Sequence, residues 1–558
     1  MGRQRMMISK TQSIRLRNVT IASLALLVFY VFLLHPADQN LDSSRATKAK
    51  FNDFPGASYG SGSGSGRGSS AKQKPPSWQK LSPELLNDRF MNSQQCASTF
   101  PGLTKEVDDV VAKGSFTLTK TSELGPLIAR IKDGKVGYQG FKNVLSEQKR
   151  PWLYILQAGR RNDFSDDMLQ HRAASLHQIA AALLTAPHPS EIPDDTVFAL
   201  NYRDEPTEST FSYSRPADPA LHGKPGRSYF PIPHFSFWSW PLPFIGSFSR
   251  AAAAIQKLEE GADGKDTSTV TPLSWRDKDS RAVWRGTAHF NNVRAGRMRQ
   301  ELLRTAAGKP WSDIAALQWT TGATNASNAL AIEDFCRYRY VVHTEGITYS
   351  GRFQFHQLCA SVVLTPPLAW MQHLTHLVRP VFSYDLPSLA AADDGDDKSS
   401  SGNTKTATAT IERKLRPPKE YGNGVHEKLS LAPYPAPWVQ QAWPRSYTTY
   451  HNRHSTAKDA DVADDEEGPN IVFVAPDWSD LESVVAWLEA HPRAAEGIAR
   501  RQRALFHGRG YFSPAAEMCY WRAALRGWTR TVRYEDGLVA ALGDGVPWEE
   551  FSLKEIHR

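Results

Sequence analysis

Residues 339–366 read RYVVHTEGITYSGRFQFHQLCASVVLTP, and this stretch, with Tyr338 ahead of it, decides the fold. An apolar run at 338–343 predicts a short strand, and a polar turn carrying Gly346 and Gly351 follows it. A helical segment starts at Arg352, and a second apolar run covers 361–364. Strand, glycine turn, helix and strand in that order predict a βαβ unit, whose first turn is where open α/β folds hold the phosphates of a nucleotide. Glycines let the backbone approach a ligand, helix-start N–H groups favour an anion, and Arg352 can add a charge-assisted bond. The same residues also suit an ordinary buried βαβ unit with Arg352 in a structural salt bridge.

Outward from this unit, two more strand ends carry chemistry. TVFALN at 196–201 predicts a strand running into Tyr202-Arg203-Asp204-Glu205-Pro206. Acidic side chains at a strand's end make Asp204 a candidate general base, and a solvated turn with an Arg203 ion pair is the alternative. WRDKDSRAVWRG at 275–286 predicts a buried strand at 282–284 that leaves Arg285 and Gly286 at its mouth to meet a phosphate. Asp277 and Asp279 match an acid-x-acid pattern that can hold a divalent metal on a nucleotide-sugar. They precede the apolar residues, however, as a solvated turn would.

The remaining body is read more coarsely. Alanine and leucine spacing predicts a helix over 173–184, and NIVFVA at 470–475 predicts a strand. Ser479 and Glu482 have the spacing of a capping box before an amphipathic helix, and Pro492 starts another helix through Phe506. YFPIPHFSFWSWPLPF at 229–244 has no steady period and predicts a packed irregular loop; its aromatic faces suit core packing or sugar rings. Residues 385–469 are rich in Asp, Ser and Thr and predict a largely disordered insertion, with 431–447 able to dock on the body.

The N-terminus is of another kind. Five basic residues, Arg3, Arg5, Lys10, Arg15 and Arg17, precede an uncharged apolar run at 19–34. At 1.5 Å per residue this run spans roughly 24 Å, a short transmembrane segment. Positive charge ahead of it predicts a cytoplasmic tail at 1–18 and a lumenal remainder; a cleaved signal peptide is the competing reading. Residues 35–76 are Gly/Ser-rich and predict a flexible stem. The chain of 558 residues carries a net charge of +8, with no long basic stripe interleaved with aromatics, so a nucleic-acid surface is not indicated. Cys96, Cys336, Cys359 and Cys519 lack zinc-site spacing and leave three disulfide pairings open. Asn325-Ala-Ser is a glycan acceptor pattern consistent with a lumenal body.

WRG at 284–286, TEGITYSGRF at 344–353, NYRDEP at 201–206 and APDWSDLESVVAWLEAHPRAAEGIARRQRALF from Ala475, with MCYW at 518–521, together resemble glycosyltransferase family ninety, the capsule-associated and protein O-glucosyltransferase-like enzymes. The resemblance covers roughly 196–528 with gaps. It implies an α/β fold of GT-B type, two Rossmann-like domains facing across a cleft: an acceptor-side domain at 77–270 and a nucleotide-sugar domain at 271–558. It further implies inverting, metal-independent transfer from a UDP-sugar, xylose or glucose, to a glycan, glycolipid or protein hydroxyl, with no cofactor. Asp204 would be the base, and Arg285, Gly286, Gly346, Ser350, Gly351 and Arg352 would hold the diphosphate. The anchored layout looks like the fungal members, and the C-terminus, Glu555-Ile-His-Arg558, is not an ER-retrieval tetrapeptide. A single-pass type II protein of the Golgi follows, with the ER as the other compartment. The rival readings are an inactive lumenal scaffold or sugar-binding protein, and a metal-dependent transferase using Asp277 and Asp279.

Overall fold

Two six-stranded sheets organise the body, and only one of them is the parallel sheet that two Rossmann-like halves would require. The computed structural model describes residues 80–121, 125–133, 151–159, 163–222, 228–261, 271–290, 296–320, 325–393, 415, 434, 436–444 and 468–556. The tail, anchor and stem expected at 1–76, and most of the 385–469 insertion, lie outside the described residues. No helix among the described residues is long and apolar enough to cross a membrane. Residues 75–558 make one compact unit.

The parallel sheet contains β8 (Asp279–Gly286), β9 (Ser312–Ala316), β10 (Tyr338–Val342), β11 (Val362–Thr365), β13 (Pro380–Phe382) and β14 (Ile471–Phe473). Their order is β13-β14-β11-β10-β8-β9, and every neighbouring pair is parallel. Side chains alternate between two cores, as the two-residue period of a strand requires. Val283, Val341, Val363, Ile471 and Phe473 enter one apolar cluster, while Trp284, Tyr340, Val342, Val362, Leu364 and Val472 enter another on the opposite face. Burial on both faces explains why these strands read as continuous apolar runs rather than alternating ones. Helices Leu481–Ala490 and Pro492–Arg503 supply the second cluster with Leu481, Val484, Val485, Leu488 and Ile498.

The other sheet has the order β16-β3-β2-β4-β5-β7, from β2 (Leu127–Asp133), β3 (Pro151–Gln157), β4 (Asp195–Leu200), β5 (Thr210–Ser212), β7 (Tyr229–Pro231) and β16 (Val546–Pro547). Here β2 runs antiparallel to both β3 and β4, and the parallel neighbours are β4 with β5 and β5 with β7. The C-terminal segment returns to this sheet. The Pro514–Thr531 helix donates from Trp528 Nε1 to Val197 O (2.9 Å) and from Tyr520 Oη to Pro231 O (2.6 Å). The sequence places everything after residue 271 with the nucleotide half, whereas the 514–531 helix packs on the mixed sheet and β16 pairs with it.

Several local expectations change. The helix expected from 173 begins at Asp166, because Ser165 caps it by accepting from Met168 N and two aspartates favour its first turn. The Ser479/Glu482 capping box does not form. Asp480 occupies the cap position, and its carboxylate instead accepts from Ala475 N and from Ser383 Oγ. The aromatic loop at 228–248 is irregular as expected, apart from β7 and one 3-10 turn at Phe235–Phe237. The part of 431–447 that is described docks, with Trp443 Nε1 donating to Thr375 O (2.8 Å) and Tyr434 Oη to Phe473 O (3.0 Å). The four cysteines pair Cys96–Cys519 and Cys336–Cys359.

Candidate active site

Strand order fixes where a ligand belongs in the parallel sheet. From β8 the chain passes to β9 on one side, and from β10 it passes to β11 on the other. The connections therefore diverge between the C-terminal ends of β8 and β10, and in open α/β sheets the crevice at such a point is the ligand site. The residues there are those after Gly286 and those from His343 to Arg352.

Arg352 stands at the start of the short Phe353–His356 helix and donates to the main-chain carbonyl of Arg285. Its guanidinium is held down to about 10 by burial. Beside it is Arg299, on the Met298–Ala306 helix, a residue that the sequence reading did not nominate. Arg299 is 4% exposed and donates from Nε to Glu345 O (3.1 Å) and from Nη1 to Thr287 O (2.9 Å). Burial and the Arg352 charge bring its pKa down to about 9, while Asp204 acts in the opposite direction. A buried guanidinium that a second one depresses is suited to face an anion.

Asp204 enters from the other sheet. Beyond β4, Asn201 shapes the loop: its side-chain amide donates to Glu205 O (2.7 Å), and its carbonyl oxygen accepts from Arg203 N (3.2 Å). Thr348, in the glycine turn, donates to Asp204 O (2.6 Å) and ties the loop to the parallel sheet's crevice. Asp204 is exposed to solvent, with protein crowding its carboxyl from behind, as on the wall of a cleft. That crowding raises its pKa, Glu205 raises it further, and Arg299 lowers it. A carboxylate with a raised pKa and an open face is suited to accept a proton.

The other nominated residues take different parts. Arg285 is committed to structure: Nη2 donates to Asp313 Oδ1 (2.7 Å), Nη1 to Asp313 O (2.6 Å) and Trp284 O (3.0 Å), and Nε to Asn328 O (3.2 Å). Its contribution to the crevice is the carbonyl that orients Arg352. Gly286 and Gly351 are required by protein side chains. A Cβ on Gly286 would stand 2.5 Å from the Trp284 ring, and one on Gly351 would stand 2.4 Å from the His234 ring. Gly346 closes the turn, donating from its N–H to Tyr349 O (2.9 Å), and Ser350 O accepts from Phe353 N (3.1 Å). His343, buried at the end of β10, is kept neutral by burial and by Arg352 and Arg299.

Asp277 and Asp279 stand at the opposite end of β8 from this crevice. Asp279 accepts from Arg281, and Asp277 accepts from Ser274 Oγ (2.5 Å). Lys278 between them is buried against Glu259.

The model of glycosyl transferase family 90 matches residues 161–390. Over that stretch the chain is similar to glycosyl transferase family 90. The matched stretch includes the Asp204 loop, β8 with Arg285, Arg299, the glycine turn and Arg352, which are the residues that the geometry brings to one crevice. No curated protein matches the chain. Arg299 was missed because nothing local marks it: Arg294, Arg297 and Arg304 are its neighbours in sequence, and only the packing of the Met298–Ala306 helix turns it inward.

Proposed function

We propose that the protein is an inverting, metal-independent glycosyltransferase that moves a sugar from a UDP-sugar to an acceptor hydroxyl. The observation that carries this reading is the meeting of Asp204 with Arg299 and Arg352 where the parallel sheet's connections diverge. Asp204 takes the proton of the acceptor hydroxyl as that oxygen attacks the anomeric carbon. The C–O bond to the diphosphate breaks with its electron pair on the leaving oxygen, and Arg299 and Arg352 balance that charge. Fixed positive charge at the leaving group costs no reorganisation during the reaction, so it stabilises the transition state more than the ground state. A single base opposite the leaving group inverts the anomeric centre.

The donor is UDP-xylose or UDP-glucose, and the acceptor a glycan, glycolipid or protein. A type II anchor at 19–34 with a lumenal body in the Golgi, or in the ER, completes the reading. Two disulfides support an oxidising compartment. The test is turnover of a UDP-sugar panel by the full-length chain, with and without chelator, beside Asp204→Asn. One donor turned over in chelator, with a loss of about 10²–10⁴-fold in the variant, is expected. Activity that chelator abolishes and Asp204→Asn retains would overturn the reading in favour of the metal-dependent one.

A further inference from the structure

Tyr349 lies in the glycine turn that follows β10, and it is only 7% exposed. Its surroundings fix it from two directions. The turn holds its backbone: Tyr349 O accepts from Gly346 N (2.9 Å), and the preceding Thr348 donates to Asp204 O (2.6 Å). The aromatic loop and β5 hold its ring. His234 stands edge-on to it with ring centroids 5.6 Å apart, and Tyr213 is tilted against it at 6.2 Å. Aromatic pairs at such separations fix each other's orientation.

The hydroxyl of Tyr349 differs from those around it. Thr348 Oγ1 is spent on Asp204 O, Ser236 Oγ accepts from Gln354 Nε2 (2.9 Å), and Tyr213 Oη pairs with Ser175 Oγ (2.7 Å) and donates to His171 O (3.3 Å). The Tyr349 hydroxyl has no hydrogen-bond partner among the described residues, and it borders open space rather than being sealed in. A tyrosine hydroxyl in a buried side chain usually finds a partner, so this one is kept for what the crevice binds. Asp204 is its neighbour across the turn, and no described group hydrogen-bonds that carboxylate either. Burial pushes the Tyr349 hydroxyl well above its ordinary range, and the Asp204 and Tyr213 charges push it further. The phenol therefore keeps its proton and serves as a donor. A proton acceptor and a hydrogen-bond donor thus stand together, each without a protein partner.

We propose that the acceptor is a carbohydrate diol and that Tyr349 selects it: as Asp204 takes the proton of the attacking hydroxyl, Tyr349 donates a hydrogen bond to the oxygen on the adjacent carbon of the same sugar ring. This inference rests on the transferase reading above. An isolated hydroxyl, such as a serine side chain, engages Asp204 but leaves the Tyr349 donor unpaired, and a site built to hydrogen-bond a substrate oxygen discriminates against a substrate that lacks it.

The experiment gives the full-length chain the UDP-sugar that it turns over, with methyl α-mannoside, methyl β-glucoside, methyl β-galactoside or a serine-containing peptide as acceptor. The preferred glycoside is then compared with its monodeoxy analogues, in wild type and in Tyr349→Phe. Transfer to a glycoside is expected, with one monodeoxy analogue, altered at the carbon next to the attacked hydroxyl, losing about three- to tenfold in kcat/KM. In Tyr349→Phe that ratio should fall to about one, because the hydroxyl that reads the oxygen is gone. A variant that is merely less stable lowers parent and analogue alike and leaves the ratio as it was. A ratio that survives in Tyr349→Phe would overturn the proposal. So would preference for the peptide over every glycoside, or a wild type that hydrolyses the donor while glycosylating no sugar. Absence of donor hydrolysis in the wild type is a different result: it would refute the transferase reading itself, and the acceptor assignment with it.

Discussion

Replacing Arg299 by Gln is the sharpest probe of the crevice, because it acts on two measurable quantities with known signs. Gln keeps a donor for Glu345 O or Thr287 O but removes the charge. The first effect is on rate: losing a preorganised positive group from the developing leaving-group charge costs about 3–4 kcal/mol, or 10²–10³-fold in kcat. The second is on pH. Asp204 must be ionised to act as base, so the acid limb of kcat/KM follows its pKa, which Arg299 lowers. Removing Arg299 moves that limb to higher pH. Even at about 4 Å two unit charges interact by only about 1 kcal/mol in water, and by about 4 kcal/mol at an effective dielectric of 20, which bounds the coupling from above. The Asp204 carboxylate touches solvent and belongs nearer the first value, so the expected shift is about half a unit. The assay is kcat/KM between about pH 4.5 and 8, with Arg352→Ala as control. Arg352 is not among the groups that move the Asp204 carboxyl, so the control should lose rate without moving the limb. An acid limb that stays put in Arg299→Gln, or moves equally in both variants, refutes the coupling.

Three other outcomes follow from the packing. Burial raises the Glu517 carboxyl to about 7, so between pH 4.5 and 7 the unfolded chain ionises there while the folded chain keeps its proton, and stability falls as pH rises. Glu517→Gln should flatten that slope and gain about 1–2 kcal/mol at pH 7.5, discounted for the side chain's residual solvent contact, in denaturant unfolding at several pH values. Removing the Cys336–Cys359 link, with a sequence separation of 23, by a double Ser substitution should cost about 3 kcal/mol by the loop-entropy argument, read as a lower urea midpoint. Gly351→Ala places a methyl against the His234 ring and should cost about 1–3 kcal/mol, seen as a lower Tm, with unaltered stability refuting the contact.

The parallel sheet was readable because its strands are buried on both faces and appear as uninterrupted apolar runs between glycine turns. The mixed sheet was harder to read. β5 and β7 are three residues each, and β16 is two residues supplied from the far end of the chain. Pairings across hundreds of residues leave no local period to find. The same limit applies to the site, as its arginines show. Arg285, at a strand mouth beside a glycine, had the local appearance of a phosphate ligand, yet a strand end also faces its neighbours. β9 brings Asp313 alongside it, and that carboxylate with three carbonyls takes the guanidinium. Arg299 had the appearance of one surface arginine among several, until the helix's packing put it beside Trp284 and Glu345. Charge type is written in the sequence, but whether a charge is spent on the protein or kept for a ligand depends on partners that only the tertiary fold supplies. Arg285→Lys should therefore act as a structural substitution, losing the fork to Asp313 and lowering the unfolding midpoint with little change in the pH profile. Arg352→Lys, whose only described protein acceptor is one carbonyl, should leave the midpoint near wild type and raise the KM for donor. The reverse pattern would return Arg285 to the diphosphate and make the Asp313 pair secondary.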